Sequence, residues 1–271
     1  MCPVLLRLGR FQIHAYGLLL AISFLVGIYW AVHRARKRKI SPTEVMDLSL
    51  IIVVAAIVGS RVMYVVTHLE EFHGRWFDTI NPFQSTGEIG IAGLTMLGGV
   101  LLALAAVVVF CLVKGIPVLR LCDVMAAPLA LGLSLTRIGC FLNGCCFGKP
   151  SDLPWAMVFP LSSPAGSILQ GIPIHPTQLY ASASGVLILA VLLILDRKPR
   201  FDGFLMAVFF MMYGILRILE DTVRYYESSV QFSLAGIPIT YNQLISFLMA
   251  LFGLAVFLWQ SVFRARLKKK S

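Results

Sequence analysis

Seven stretches of this 271-residue chain are each apolar for about 18 to 26 residues, long enough to cross roughly 30 Å of hydrocarbon as a helix. They run over about 16–33, 46–66, 90–113, 117–142, 178–195, 203–220 and 239–260. Within lipid a segment must satisfy its own backbone hydrogen bonds, so each such run has little choice but to be helical. The composition agrees, at 58% hydrophobic and 13% charged residues. The expected fold is therefore an all-α polytopic membrane protein of about seven transmembrane helices, forming one integral membrane domain over residues 1–271. No repeat or low-complexity linker divides it. No cleavable leader is expected, because the first apolar run is too long for one and its basic cluster follows it.

The net charge of +10 invites a nucleic-acid reading, but the positions of the basic residues argue against it. Most of the 23 lysines and arginines lie in four clusters, Arg34–Lys39, Lys114 with Arg120, Arg197–Arg200 and Arg264–Lys270, which follow spans 1, 3, 5 and 7. All fall on one side, and the opposite side holds only Arg7, Arg10, Arg75, Lys149 and Arg224. The positive-inside rule then sets the N-terminus outside and the C-terminus in the cytoplasm. Trp30 and Trp259 near inner ends, and Trp76 and Trp155 in outer loops, fit an aromatic belt. Residues 2–13 are too short to span and carry Arg7 and Arg10, as an interfacial segment would. Residues 144–176, with six prolines, read as an ordered but irregular outer cover.

Three arginines, Arg61, Arg137 and Arg217, fall within spans or at their ends. An arginine near a bilayer centre costs roughly 2.5 to 3.5 kcal/mol on insertion scales, so each asks for a function or a partner. Arg61 follows Gly59-Ser60 at the rim of span 2, where snorkelling explains it as well as function does. Arg137 opens Arg-Ile-Gly-Cys-Phe-Leu-Asn-Gly-Cys-Cys-Phe-Gly, which places a cation and Asn143 among small residues. On span 6, Tyr213, Arg217, Asp221 and Arg224 recur at helical spacing with Glu220 beside them, so a continuing helix sets them on one face. An Arg217–Asp221 ion pair that merely holds the helix end is the structural alternative. If spans 4 and 6 face each other, Arg137 and Arg217 form a cationic site at headgroup level, and a guanidinium fork suits a phospholipid phosphate. Span 7 opens with Thr240-Tyr241-Asn242-Gln243, a polar start suited to closing the same cavity. The glycines of Gly93-Leu94-Thr95-Met96-Leu97-Gly98-Gly99 thin span 3 so that another backbone or a lipid can lie against it. Pro128 is expected to kink span 4.

Cys140, Cys145 and Cys146 lack a second CxxC or a histidine pair at ligand spacing. Helix packing, a bridge among outer cysteines and metal binding all stay open, with packing the plainest; no metal and no cofactor is expected.

The chain resembles the prolipoprotein diacylglyceryl transferases of bacterial inner membranes. The resemblance rests on His14-Ala15-Tyr16-Gly17, Gly59-Ser60-Arg61, Asp123, the Arg137–Gly148 run, His175-Pro176-Thr177-Gln178-Leu179-Tyr180 and Tyr213–Arg224, in that order along the chain. It implies seven spans with an outside N-terminus, and transfer of a diacylglyceryl group from phosphatidylglycerol to the lipobox cysteine thiol of a prolipoprotein, with release of glycerol 1-phosphate. It further implies that Arg137 binds the phosphatidylglycerol headgroup and that Arg217 is the essential catalytic arginine. Tyr16, Asn143, Gly148, Tyr213 and Asp221 would shape the site. The partners expected are phosphatidylglycerol, lipobox-bearing signal peptides and membrane lipids. Three positions depart from the family pattern: Leu97 where many members have His before Gly-Gly, Ala181 where many have Glu, and Thr136 where many have Gly.

A free thiol with a pKa near 8.5 is only a few per cent thiolate at neutral pH, so the acceptor needs activation. His14, His175 or Asp221 are candidates to take the proton, and Arg217 to stabilise the thiolate; helix-end hydrogen bonding serves the histidines equally well. Arg61, Gln178, Glu220 and Arg224 complete the candidate substrate contacts. Two other readings remain, a silent relative that binds phospholipid or lipoprotein precursor without transfer, and a transporter. Intact Arg137 and Arg217 oppose the first, and the lack of two repeated halves opposes the second.

Overall fold

In the computed structural model, residues 4–8, 11–72, 95–226, 231–234 and 237–268 are described. Every long apolar stretch with described residues is a helix: α1 (Ala15–Lys37), α2 (Pro42–Thr67), α3 (Met96–Lys114), α4 (Val118–Asn143), α6 (Thr177–Leu195), α7 (Phe204–Val223) and α8 (Tyr241–Lys268). A one-turn α5 (Pro164–Ile168) lies in the connection before α6. Two antiparallel hairpins complete the list, β1 (Val4–Leu8) with β2 (Phe11–His14) and β3 (Gln231–Leu234) with β4 (Ile237–Thr240). The N-terminal segment, expected at the interface, forms a hairpin. Helix α3 begins at Met96; residues 90–94 of the third expected span, Gly93 and Leu94 among them, and Arg75 and Trp76 lie outside the described residues.

Six of these helices are long and apolar enough to cross a membrane. The seventh expected span, α7, is helical but not among them, because Arg217, Glu220 and Asp221 fall in its last two turns. The outward faces are Leu, Val and Phe: Leu112 and Val113 are 74% and 76% exposed. Such surfaces are tolerated where lipid is the solvent, and the chain is a multi-pass membrane protein.

The chain forms two compact units. The smaller, Val32–Val118, is built on α2 and α3. They meet through glycine: a Cβ on Gly98 would strike the Gly59 carbonyl and the Met63 Cβ, and one on Gly59 would strike the Gly98 carbonyl. The thinned face of α3 therefore takes a backbone, as the small-residue pattern requires. Thr95 adds its N–H and its Oγ1 to the Ser60 carbonyl at 3.2 and 3.1 Å. Gly98→Leu is accordingly expected to separate α2 from α3 and to expose this hairpin to limited proteolysis in detergent micelles, with the rest of the chain resistant.

In the larger unit, α1 up to Ala31 joins α4 to α8. Its core is Ala126 and Ala130 of α4, Ile188 and Leu192 of α6, and Phe204, Leu205 and Phe209 of α7. Small residues again set close approach. Gly185 of α6 lies on the Ser134 backbone of α4, where the Ser134 and Ser182 hydroxyls are 3.0 Å apart, and Gly214 of α7 lies on the Ser246 carbonyl of α8. Helix α4 runs on through Pro128, which faces Gly27 of α1.

The N-terminus of α7 is capped from another helix. Asp123 of α4 is fully buried, and its carboxylate accepts from the backbone N–H groups of Gly203, Leu205 and Met206 at 2.9, 2.8 and 3.1 Å. Three of the four orphan donors that any helix start presents lie near this carboxylate, whose charge also opposes the helix dipole.

Candidate active site

The last turns of α4 and α7 carry the charged residues, and a narrow cavity between α4, α6 and α7 brings them together. Arg137, Ala181, Tyr213, Arg217 and Glu220 line it. Tyr213 is fixed there by stacking on Phe209, with ring centroids 5.9 Å apart and planes nearly parallel.

Arg217 is buried and fully engaged. Its Nη2 lies 2.9 Å from Asp221 Oδ1 and donates to the Tyr226 hydroxyl at 3.0 Å, and its Nη1 reaches Glu220 Oε2 at 3.4 Å. Tyr226 in turn donates to Asp221 Oδ1 at 2.8 Å and accepts from Asn242 Nδ2 at 3.0 Å, while Thr240 Oγ1 donates to Asp221 Oδ2 at 2.8 Å. Burial holds the Tyr226 hydroxyl above its ordinary pKa, so it stays a donor to Asp221. The polar start of α8 does close this group. Glu220 and Asp221 both pair with Arg217. The uncommitted cation is Arg137, which among the described residues has no hydrogen bond or ion pair.

The expectation for Arg224 is corrected. Helix α7 ends at Val223, so Arg224 leaves the helical stripe, takes extended backbone and forms a bridge with Gly148. Its guanidinium lies over the Tyr226 ring at 5.2 Å.

The segment after α4 is stitched to both neighbours. Tyr225 N–H donates to the Phe147 carbonyl at 3.1 Å and Lys149 N–H to the Val223 carbonyl at 2.8 Å, while Gly148 N–H donates to the His175 carbonyl at 3.1 Å. The Lys149 ammonium caps the end of α7 through the Thr222 carbonyl at 2.8 Å, where a cation suits the helix dipole. Phe147 stacks on Tyr225 above a small core of Phe159, Ala165 and Ile174. Gly148 has no room for a side chain, since a Cβ would lie 2.5 Å from the His175 Cβ and 2.6 Å from its carbonyl oxygen. Gly148→Ala should therefore force the two strands apart and lower the melting temperature by several degrees, together with activity, as an overpacked contact costs about 1–3 kcal/mol.

The other candidates are placed as follows. Tyr16 at the start of α1 lies against Gly139, half a turn beyond Arg137 on α4. Asn143 is the last residue of α4, two before Cys145. His175 Nδ1 is 3.3 Å from the Tyr180 hydroxyl, which also accepts from Trp155 Nε1 at 2.7 Å. Gln178 is buried; its Nε2 donates to the Cys145 carbonyl at 2.8 Å, and its Oε1 has no partner among the described residues. Arg61 belongs to the smaller unit, buried with its guanidinium over the rings of Tyr64 and Phe72 at 5.8 and 5.2 Å. The side chain of His14 lies outside the described residues.

Two features escaped the sequence. Tyr226 falls between the sixth and seventh apolar runs, so no periodicity marks it. The three cysteines share no ligand spacing along the chain, yet the end of α4 and the turn after it place the sulfurs of Cys140, Cys145 and Cys146 within 4.8 Å of one another. The Cys145 thiol donates to the Cys140 carbonyl at 3.8 Å.

A family model described as "Prolipoprotein diacylglyceryl transferase" matches residues 3–259. The chain is 33% identical over 260 residues to the phosphatidylglycerol--prolipoprotein diacylglyceryl transferase of Bordetella avium, covering 94% of this chain and 93% of that protein. It is 33% identical over 263 residues to the protein of the same name in Pseudomonas aeruginosa, covering 95% and 92%. To that of Clostridium tetani it is 28% identical over 224 residues, covering 83% and 86%. A match over nearly the whole length, on a chain whose signature arginine opens onto a cavity between helices, shows that the protein belongs to the prolipoprotein diacylglyceryl transferase family.

Proposed function

We propose that this protein transfers a diacylglyceryl group from phosphatidylglycerol to the lipobox cysteine thiol of prolipoproteins in the bacterial inner membrane, with its N-terminus outside and its C-terminus in the cytoplasm. The names of the relatives support the reaction, and the one-sided distribution of basic residues supports the orientation. The observation that carries the reading is Arg137, a guanidinium without a hydrogen bond or ion pair among the described residues, lining the cavity that also holds Arg217. Its fork takes the phosphatidylglycerol phosphate through two parallel charge-assisted hydrogen bonds.

In the reaction the acceptor sulfur forms a bond to the glyceryl carbon while the bond from that carbon to the phosphate oxygen breaks. The electron pair leaves with the oxygen, so the product phosphate carries one more negative charge than the diester, and the thiol proton is released. Arg137 faces the growing charge in a site of low dielectric, where such stabilisation is worth several kcal/mol. Arg217, held by Asp221, Glu220 and Tyr226, supplies a second fixed positive centre that needs no reorganisation. Tyr16, Asn143, Gly148, Tyr213 and Gln178 shape the cavity and the adjoining loop.

The test is incubation of the purified protein with phosphatidylglycerol vesicles and a lipobox peptide. Addition of one diacylglyceryl mass to the peptide, with matching release of glycerol 1-phosphate, is expected. Binding of phosphatidylglycerol with no mass shift would favour the silent-relative reading, to which Ala181 in the cavity wall lends support.

A further inference from the structure

We propose that Cys140, Cys145 and Cys146 bind one zinc-class divalent cation, and that its open fourth position takes the acceptor thiol; this second part rests on the transferase reading above. Zinc bound by thiolates is tetrahedral with Zn–S near 2.3 Å, which sets neighbouring sulfurs about 3.8 Å apart. The three sulfurs already lie within 4.8 Å of one another, so side-chain adjustment alone closes the site. Three protein ligands with one open position is the arrangement of a catalytic zinc, not of a structural one.

The loop that carries these thiols is built to hold them. Gly144 and Cys146 both have positive φ, 74° and 61°, and a non-glycine residue in that region is uncommon and costs of order 1 kcal/mol or more. The Cys145 N–H returns to the Cys140 carbonyl at 3.2 Å, which closes the turn. From α6, Gln178 Nε2 donates to the Cys145 carbonyl at 2.8 Å and Thr177 Oγ1 to the Cys146 carbonyl at 2.9 Å. Consecutive backbone carbonyls beside the thiols are thus pinned by buried side chains, as the supporting shell of a metal site should be. The unpartnered Oε1 of Gln178, buried on the same loop, is an acceptor that the described residues leave unsatisfied.

A cation here would activate the acceptor thiol directly. Asp221 is occupied by Arg217, Tyr226 and Thr240, and Glu220 by Arg217. A thiol that coordinates the cation is deprotonated outright. Binding releases one proton to solvent from each cysteine, and entry of the acceptor thiol releases one more. The coordinated sulfur then attacks the glyceryl carbon, the carbon–oxygen bond to phosphate breaks with its electron pair on oxygen, and the thioether leaves the metal, whose oxidation state is unchanged. Conversion of a thiol that is a few per cent ionised into a full thiolate raises the rate roughly 30-fold from the thiolate fraction alone.

The test uses the full-length protein in detergent, stripped with a chelator and loaded with cobalt(II) as the probe. One cobalt per chain is expected, with the intense near-ultraviolet thiolate-to-cobalt band and tetrahedral visible bands. Cys145→Ser and Cys146→Ser should lose them and Cys111→Ala keep them. A lipobox peptide with its cysteine should shift the visible bands, and the same peptide with serine should not. Stripping should lower transfer at least tenfold and zinc should restore it. Absence of the thiolate band in the unsubstituted protein, three thiols reduced to one by a disulfide, or undiminished transfer by the metal-free protein would each overturn the proposal, whether or not the serine variants fold. Cobalt bands that shift with the cysteine peptide in a protein that releases no glycerol 1-phosphate would leave the metal site standing and sink the transferase reading instead.

Discussion

Arg137→Ala is expected to lower diacylglyceryl transfer by about 10²- to 10³-fold while leaving the melting temperature of the protein within a degree or two of the parent. The rate effect is that of removing one preorganised group aimed at developing charge. The stability effect is small because Arg137 makes no hydrogen bond or ion pair among the described residues, so its loss strands no buried partner. Arg137→Lys should recover only part of the rate, since an ammonium keeps the charge but loses the bidentate fork. Arg217→Ala is the contrast. It leaves Asp221 and Glu220 buried without their cation, and breaking a buried ion pair costs about 3–5 kcal/mol, so activity and stability should fall together. Parallel rate measurements and thermal melts in detergent separate the two arginines. A large fall in melting temperature for Arg137→Ala would show that it holds the fold and is not free to take a phosphate.

The largest effect on stability is expected at Asp123, some distance along α4 from the cavity. Asp123→Ala removes the acceptor of three backbone N–H groups at the start of α7. Each buried donor left without a partner costs about 1–3 kcal/mol, and a typical protein has only about 5–15 kcal/mol to lose. The variant should express poorly or melt far below the parent. Asp123→Asn should fall between them, because its oxygen still serves Leu205 and Met206 while its amide presents donors to the Gly203 N–H. Since α7 carries Arg217, Glu220 and Asp221, transfer should track the folded fraction in both variants. Normal stability in Asp123→Ala would show that water or lipid headgroups satisfy the start of α7.

The apolar runs sufficed for the helices because each is a local property: about 20 residues without charge must be helical in lipid, whatever they pack against. Helix α7 reads as a span from its apolar residues, but three charges fall in its last two turns and keep it out of the helices apolar enough to cross. The small-residue contact of Gly98 was equally legible, since one helix face can be read from spacing alone. That contact needed a partner surface, and the Gly59 backbone of α2 supplied it.

The site was legible in part. Arg137, Arg217, Asp221 and Tyr213 were marked by charge and spacing within apolar surroundings, and the polar start of α8 by its composition. Pairing was not legible. Spacing places Glu220 and Asp221 near Arg217 but does not say that both neutralise it, and it kept Arg224 on a helix that ends one residue earlier. The buried acceptor of α7's first N–H groups lies about 80 residues away in sequence, at Asp123.

By itself, then, the sequence determined the helical class, the apolar runs, the family pattern and the residue types available for phosphate chemistry, all of which follow from local composition and order. Tertiary structure decided which site arginine has no ion pair among the described residues and where three cysteines converge. Those depend on distances between residues far apart in the chain, because charges and thiols act within a few ångströms, and the folded backbone alone sets which groups come that close.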